Sequence, residues 1–456
     1  MKIRKTLLLV FAITQLGLVV QAQSSTSLDS VEANTAAQEE TTEPGQSRLV
    51  LSLDEAREFA LENNREMKNA AMAVDEAGFR VKEMVATGLP QASANMDYTS
   101  FLGAEMKLQL DPNMPAQSVP FNSTSFLNVN VSQLLFSGTY LVGLQTAKLY
   151  KAMTEKSIEK SALDVKEQVS GTYFLILLSE RTKDILLKNL ANVSEIHRNT
   201  EVMFKVGVVE QTDVDQLSVQ ITMLENNLRQ TERQVDMAYD MLKLQLGVDP
   251  KTQIELTETL DDFLMAFDFY NSLIKEFDLK SNVDYQLLNS QEEISLKQVS
   301  LQKMEYLPTV SANYVRTEKI KAANFDMQPN NVLGFNMSIP IFSSGMRKAK
   351  VSQAQIQLET VQNNKRQLED ALLTQERQAR LNLNTALEQY NSQKKNVEVA
   401  SRVFGNINRK FESGMVSSLD LTTANNNYLN AESSYIQSML QVLDAHVALE
   451  KLFNDL

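Results

Sequence analysis

The chain of 456 residues carries one pattern twice, and this duplication restricts its fold more than any other feature. The segment FKVGVVEQTDV begins at Phe204, and the segment FESGMVSSLDL begins at Phe411. Phenylalanine, glycine, valine and aspartate keep the same relative positions in both segments. A long stretch with helical spacing precedes each segment and a second one follows it. Each repeat therefore predicts a long helical hairpin, with a period too long for a solenoid.

The predicted helices are unusually long because glycine (14) and proline (9) are scarce. The stretch from Gly138 to about Val206 spans roughly 65 residues, or ~100 Å of helix. The last helix of each repeat has heptad spacing, as at Leu217, Ile221 and Leu224, which is typical of a coiled-coil seam. An ordinary helical bundle fits this periodicity equally well.

Each repeat also contains two segments in which apolar and polar residues alternate, as in an amphipathic strand. Leu89-Pro90 and Leu307-Pro308 precede these segments and end the helices before them. We predict strands at about 91–110, 121–136, 309–320 and 331–342. The apolar positions are Leu127, Val129, Val131, Phe335, Met337 and Ile339. The polar positions are Asn128, Asn130, Ser132, Asn336 and Ser338.

The amino terminus predicts export. Lys2, Arg4 and Lys5 precede an apolar run, and Ala22 ends a stretch of short residues, so residues 1–22 are predicted to be a cleaved signal peptide. A single membrane anchor is the alternative, but the apolar run is short for a spanning helix. Residues 23–48 are polar and acidic and predict a disordered linker. The two repeats then occupy 49–270 and 271–456, and the first opens with a predicted helix from Leu51 to Gly88.

Composition excludes several function classes. The chain has no cysteine and two histidines far apart, so it lacks disulfides, thiolate metal sites and a histidine-rich metal cluster. A net charge of -13 argues against a nucleic-acid partner. No nucleophile–base arrangement or phosphate loop occurs, so we predict neither an enzyme nor a bound cofactor or metal.

Four strands per chain cannot close a membrane barrel, since such barrels begin near eight strands. Three chains would supply twelve strands, with the apolar positions facing lipid and the polar positions facing a watery lumen. A soluble sheet packed against the helices fits the strands alone equally well. The long helices favour the first arrangement, because helices of ~100 Å attached to a barrel make a tube.

The order and spacing of these features resemble the TolC-type outer-membrane efflux proteins over residues 49–456. The segments LSLDEAREFALENNREMKNA and PIFSSGMRKAKVSQA, together with the duplicated F-x-x-G-x-V segments, carry the resemblance. It implies a mainly α fold with a β-barrel part, in which a homotrimer forms a 12-stranded transmembrane β-barrel in the outer-membrane lipid and a helical tube in the periplasm. It also implies a passive exit duct of a tripartite efflux or type I secretion system, working with a periplasmic adaptor and an inner-membrane pump. The alternative is a secreted structural coiled-coil assembly without a pore.

The resemblance implies that the hairpin tips close the channel at its periplasmic end. Asp213 and Asp420 are the gate candidates, because threefold symmetry would turn each into a ring of charges. Both residues also suit the first turn of a helix, where the dipole stabilises an acid, and the two interpretations are compatible. The tip position that is arginine in the family is Val416 here, so a salt-bridge latch at that position is absent. The candidates for tip turns and adaptor contact are Gly207, Val208, Val209, Gly414, Met415 and Val416.

Overall fold

A computed structural model describes residues 48–108, 117–322 and 326–456. The predicted signal peptide and the predicted linker up to residue 47 lie outside the described residues. The helices are α1 (Leu53–Asn63), α2 (Arg65–Thr87), α3 (Gly138–Lys205), α4 (Gln211–Leu246), α5 (Leu260–Ala266), α6 (Phe269–Ile274), α7 (Val283–Met304), α8 (Met346–Glu412) and α9 (Ser418–Phe453). The strands are β1 (Arg48–Leu51), β2 (Gln91–Thr99), β3 (Glu105–Leu108), β4 (Gln117–Pro120), β5 (Thr124–Phe136), β6 (Gln253–Leu256), β7 (Thr309–Lys321) and β8 (Asn331–Ser338).

Two long helical hairpins dominate the fold, as the duplication predicts. Helix α3 has 68 residues and packs along α4, and α8 has 67 residues and packs along α9. At ~1.5 Å per residue, α3 and α8 each span about 100 Å. Helix α3 follows β5 and helix α8 follows β8, so each hairpin continues directly from a strand.

The predicted helix from Leu51 to Gly88 is interrupted. Residues before Ser52 form β1 instead, which pairs in parallel with β6. Ser52 caps α1 and forms a capping box with Glu55. Asn64 then leaves the helical conformation: its side chain accepts from the N–H of Glu66 and donates to the carbonyl of Gln245 at 2.7 Å. The bond to Gln245 joins distant parts of the chain, whereas hydrophobic periodicity reports only local structure. Periodicity therefore did not predict the break at Asn64.

The principal core lies where α1, α5, α6 and the sheet of β1 and β6 pack against the long helices. Tyr173 and Phe174 are fully buried and meet Phe263 edge-on at 6.0 and 5.1 Å between ring centroids. The Tyr173 hydroxyl donates to the carbonyl of Leu51 at 3.2 Å. His446 is also buried here and stacks on Phe267. This core joins elements from both repeats.

The larger sheet has the order β2-β5-β7-β8, and all of its neighbouring strands are antiparallel. Two strands end earlier than predicted. Strand β2 ends at Thr99 because Leu102 and Gly103 take positive φ values of 49° and 79°, which start a turn into the hairpin of β3 and β4. Strand β8 ends at Ser338, so Ile339 lies beyond it, and Pro340 has no N–H to continue the ladder.

Candidate functional site

The two hairpin tips have the same backbone construction. Gly207 and Gly414 follow α3 and α8 with φ values of 78° and 69°, in the left-handed region that favours glycine. The N–H of Val208 donates to the carbonyl of Met203, and the N–H of Met415 donates to that of Lys410, both at 2.9 Å. Each of these 6→1 hydrogen bonds, together with the left-handed glycine, forms a Schellman motif at the end of the long helix. The duplicated sequence therefore produces a duplicated turn at the two glycines.

The apolar tip residues differ in exposure. Val208 is 65% exposed and Met415 is 68% exposed, whereas Val209 and Val416 are half-buried. Each tip thus has a largely exposed apolar side chain directly after its glycine, and the next apolar side chain is partly buried. An exposed valine or methionine at a tight turn is a candidate for contact with another protein.

Asp420 lies in the first turn of α9 and forms a capping box with Ser417, the N-cap residue. Its carboxylate accepts from the N–H and the hydroxyl of Ser417, at 3.1 and 2.8 Å. The Ser417 hydroxyl in turn accepts from the N–H of Asp420 at 3.2 Å. Hydrogen bonds from the Ser417 hydroxyl and N–H lower the pKa of Asp420 below its ordinary value. The side chain therefore stays charged at neutral pH while it caps its own helix.

Asp213 has a different role, because it joins the two hairpins. One carboxylate oxygen accepts from the N–H of Glu210 at 3.1 Å, within its own tip. The other accepts from the hydroxyl of Ser418 in the first turn of α9. The Ser418 hydroxyl also lies 3.3 Å from Oε1 of Gln216, and Ser418 is 2% exposed. Sequence analysis missed Ser418, since a serine after a cap serine gives no signal of a contact with the other repeat.

The sheet has an apolar face, and its cross-strand register shows which residues share it. Leu127 lies opposite Met96, Val129 lies opposite Ala94, and Val131 lies opposite Ala92. On the next strands, Tyr314 pairs with Val131 and Leu333, and Ala312 pairs with Phe335. Met337 lies two residues after Phe335 on the same face. The five of the six apolar positions that lie within strands therefore share one face, and Ile339 follows its end.

The opposite face carries the predicted polar positions. Asn128 accepts from the Thr317 hydroxyl at 2.7 Å and donates to Asp97 at 3.0 Å, which links three adjacent strands. Asn130 and Ser132 continue this face along β5, and Asn336 and Ser338 lie on it in β8. Phe126 also lies on this face.

The apolar face is not uniformly apolar, a point that sequence analysis missed. Glu318 lies opposite Leu127, and Arg316 lies opposite Val129. The two charged side chains lie 3.6 Å apart and are about half exposed. They occupy the half of β7 that is farther from the long helices. The register of β7 against β5 places them on this face, and the sequence pattern of a single strand does not specify that register.

Across the described ranges, no three His, Cys, Asp or Glu side chains come together as a metal site would require. Within the same residues, no helix has the length and apolar content needed to cross a membrane.

Comparison with known proteins identifies the family. Residues 280–455 match the family described as Outer membrane efflux protein. The Outer membrane protein TolC of Salmonella enteritidis is 22% identical over 404 residues, which cover 83% of this chain and 78% of that protein. Residues 280–455 belong to this family, and the chain as a whole is similar to the TolC-type outer-membrane efflux proteins. The crystal structure of the Campylobacter jejuni CmeC outer membrane channel has the same fold, with a TM-score of 0.72, 18% identity and 94% of each chain covered. The open state of the Neisseria gonorrhoeae MtrE outer membrane channel aligns with a TM-score of 0.69 and 14% identity over 88% of each chain.

This similarity assigns a class of function to the geometry described above. The protein is an efflux channel component of the outer membrane and is not an enzyme. The predictions of a mainly helical, TolC-like chain fold, of outer-membrane localisation and of non-enzymatic transport are therefore confirmed. The alternative of a secreted assembly without a pore gains no support from these relatives.

Proposed function

We propose that three copies of the chain form the passive exit duct of a tripartite efflux or type I secretion system. The observation that carries the proposal is the four-stranded antiparallel sheet with one apolar face, which leads directly into α3. Within the described residues, β2 and β8 are the two edges of this sheet. Unpaired edges attract further strands, and four strands are too few to close a membrane barrel. Pairing β8 of one copy with β2 of the next would remove every edge and give twelve strands.

In this assembly the apolar face that includes Val129 and Phe335 meets lipid, and the polar face that includes Asn128 and Asn336 lines the lumen. The ion pair of Arg316 and Glu318 would lie near the outer rim of the barrel, where charge costs less than at the bilayer midplane. The mature chain begins after residue 22, and the repeats 49–270 and 271–456 each contribute two strands and one long hairpin.

Outer-membrane fractionation with native mass measurement tests the assembly. We expect a trimer of chains lacking residues 1–22 in the outer-membrane fraction. A monodisperse soluble monomer in detergent-free periplasmic extract would refute the proposal.

We infer that the hairpin tips dock a periplasmic adaptor, which passes substrate from an inner-membrane pump. The support is the pair of solvated apolar side chains at equivalent turns, Val208 and Met415. The chain contains no cysteine, so a single Met415→Cys variant carries one unique thiol for cross-linking in intact cells. We expect a cross-link to an adaptor, identified by mass spectrometry, and none from Leu373→Cys on the exposed face of α8. Equal labelling of the adaptor from both positions would contradict a tip-specific contact.

We propose that Asp213 and Asp420 also give the closed mouth its preference for cations. A trimer brings six of these carboxylates towards one axis, which favours cations and repels anions. Replacing both with Asn removes the charges and keeps most of the hydrogen-bonding capacity. The reversal potential in a salt gradient should then shift towards zero in planar-bilayer recordings. If the reversal potential stays at the wild-type value, the two carboxylates serve only as hydrogen-bond acceptors in the tips.

A further inference from the structure

A cavity of about 1050 Å³ lies between α4 and α9, and part of α3 forms its third wall. The residues of α4 that line it run from Thr212 to Gln234. At ~1.5 Å per residue, the cavity follows that helix for ~33 Å. One chain supplies all three walls, so the cavity does not depend on the proposed trimer. Its volume is sufficient for a drug-sized molecule.

The two ends of the cavity differ in polarity. The end near the tips is lined by Asp215 and Gln216 of α4 and by Thr422 of α9. About 20 residues from the tips, the lining includes three apolar side chains from α3 and α9, those of Ile185, Leu186 and Ile436. A molecule that fits both ends is therefore elongated, with one polar end and one apolar end.

Apolar side chains also lie at the open side of the cavity. Val219, Met223 and Leu419 line it, yet each is more than half exposed to solvent. A bound molecule would cover these side chains and remove apolar surface from water, which is favourable. Exposed apolar groups around a concave surface are typical of a ligand site.

Gln220 supplies an unsatisfied polar group in the wall of the cavity. The residue is 6% exposed, and neither Oε1 nor Nε2 has a hydrogen-bond partner among the residues that the structure describes. The hydroxyl of Thr422, in the same lining, also lacks one within the described ranges. Rotation about the side-chain bonds of Gln220 turns its amide towards the cavity that it lines. A hydrogen bond formed there is strong, because the surroundings are largely shielded from water.

The charge of the lining indicates which head group fits. Asp215 is the single charged side chain among the described residues that line the cavity, and its carboxylate already accepts from Nε2 of Gln211 at 2.9 Å. An anionic ligand would therefore meet no positive charge. The carboxamide of Gln220 both donates and accepts, so a neutral group that does the same can form two reciprocal hydrogen bonds with it.

We propose that the cavity between α4 and α9 binds a neutral, elongated amphiphile. Its head group both donates and accepts hydrogen bonds at Gln220 and Thr422, and its apolar body lies along the cavity towards Ile185 and Ile436. The head group satisfies the two polar side chains, and the body covers the exposed apolar ones. This binding goes beyond passive passage through a duct, because the molecule is held by one chain.

Equilibrium dialysis of radiolabelled octanamide against the full-length protein in lipid nanodiscs tests the proposal. Octanamide is neutral and has a primary amide and a short alkyl chain. We expect saturable binding of one molecule per chain. Gln220→Leu should weaken it by at least about tenfold, the factor equivalent to about 1.4 kcal/mol. Methyl octanoate lacks the N–H donors and should bind the wild type more weakly by a similar factor.

The control variant is Gln437→Leu, an exposed position on α9 outside the cavity, and it should bind octanamide as the wild type does. Comparison in the same nanodiscs cancels partition of the probe into lipid. Thr422→Val keeps nearly the same shape and should also weaken binding, which provides a test if Gln220→Leu does not assemble. Uptake that does not saturate, or saturable binding that neither substitution in the cavity weakens, would overturn the proposal.

Discussion

Replacing Glu450 with glutamine should stabilise the protein increasingly as pH rises. Glu450 lies near the end of α9, with Oε1 3.5 Å from Nε2 of His446, and its side chain is 25% exposed. Burial raises the pKa of Glu450 to about 7, and the nearby charge of Arg57 opposes that rise only in part. The ordinary value for such a carboxyl is 4.5. The folded chain therefore holds a proton that the unfolded chain releases.

The direction in which stability changes with pH follows from proton linkage. Between pH 4.5 and about 7 the folded state binds more protons than the unfolded state, so wild-type stability falls as pH rises through this window and then levels off. The two pKa values set an upper bound of about 3 kcal/mol on the loss. Since a quarter of the side chain meets solvent, screening reduces the expected loss to about 1–2 kcal/mol. Glutamine keeps the shape and carries no charge, so it avoids this loss.

Thermal unfolding of both proteins in one detergent, from about pH 5 to about pH 8, measures the effect. The quantity of interest is the difference between variant and wild type, because it cancels the opposing contribution of His446. Burial lowers the pKa of His446 to about 4, and that residue is present in both proteins. We expect the difference in midpoint to grow with pH up to about 7. Exposed Glu398→Gln is the control, and a Glu450→Gln difference that does not vary with pH would refute the reasoning.

Three further substitutions test the sheet, the tips and the core. Val129→Lys should destabilise the assembled barrel by roughly 2–4 kcal/mol if the site lies near the bilayer midplane, whereas Asn130→Lys should assemble and change single-channel conductance. If the two variants behave alike, the two faces of β5 are assigned wrongly. Gly414→Ala should lower the thermal midpoint by the equivalent of about 1 kcal/mol because its φ is 69°, while Gly405→Ala inside α8, with nothing near the added methyl, should raise it. Phe174→Ala should cost about 3–5 kcal/mol and reduce the yield of folded protein, and a normal yield and midpoint would contradict its place in the core.

The sequence by itself determined the parts of this protein whose cause is local. Scarcity of glycine and proline predicts the length of α3 and α8, and alternation predicts the central part of the four strands in the larger sheet. The duplicated glycines predict both left-handed tip turns, and Ser417 with Asp420 predicts a capping box. Each of these signals acts within a few residues of the chain, so a single sequence contains it.

Tertiary structure decided the contacts between distant segments. The order of strands in the sheet puts Arg316 beside Val129 on the apolar face, and the parallel run of α4 and α9 puts Ser418 against Asp213. These features depend on register and on which helix faces meet, and a shift of one residue in a strand reverses its two faces. Local periodicity fixes the elements, whereas the burial of side chains from both repeats in one core fixes how those elements meet.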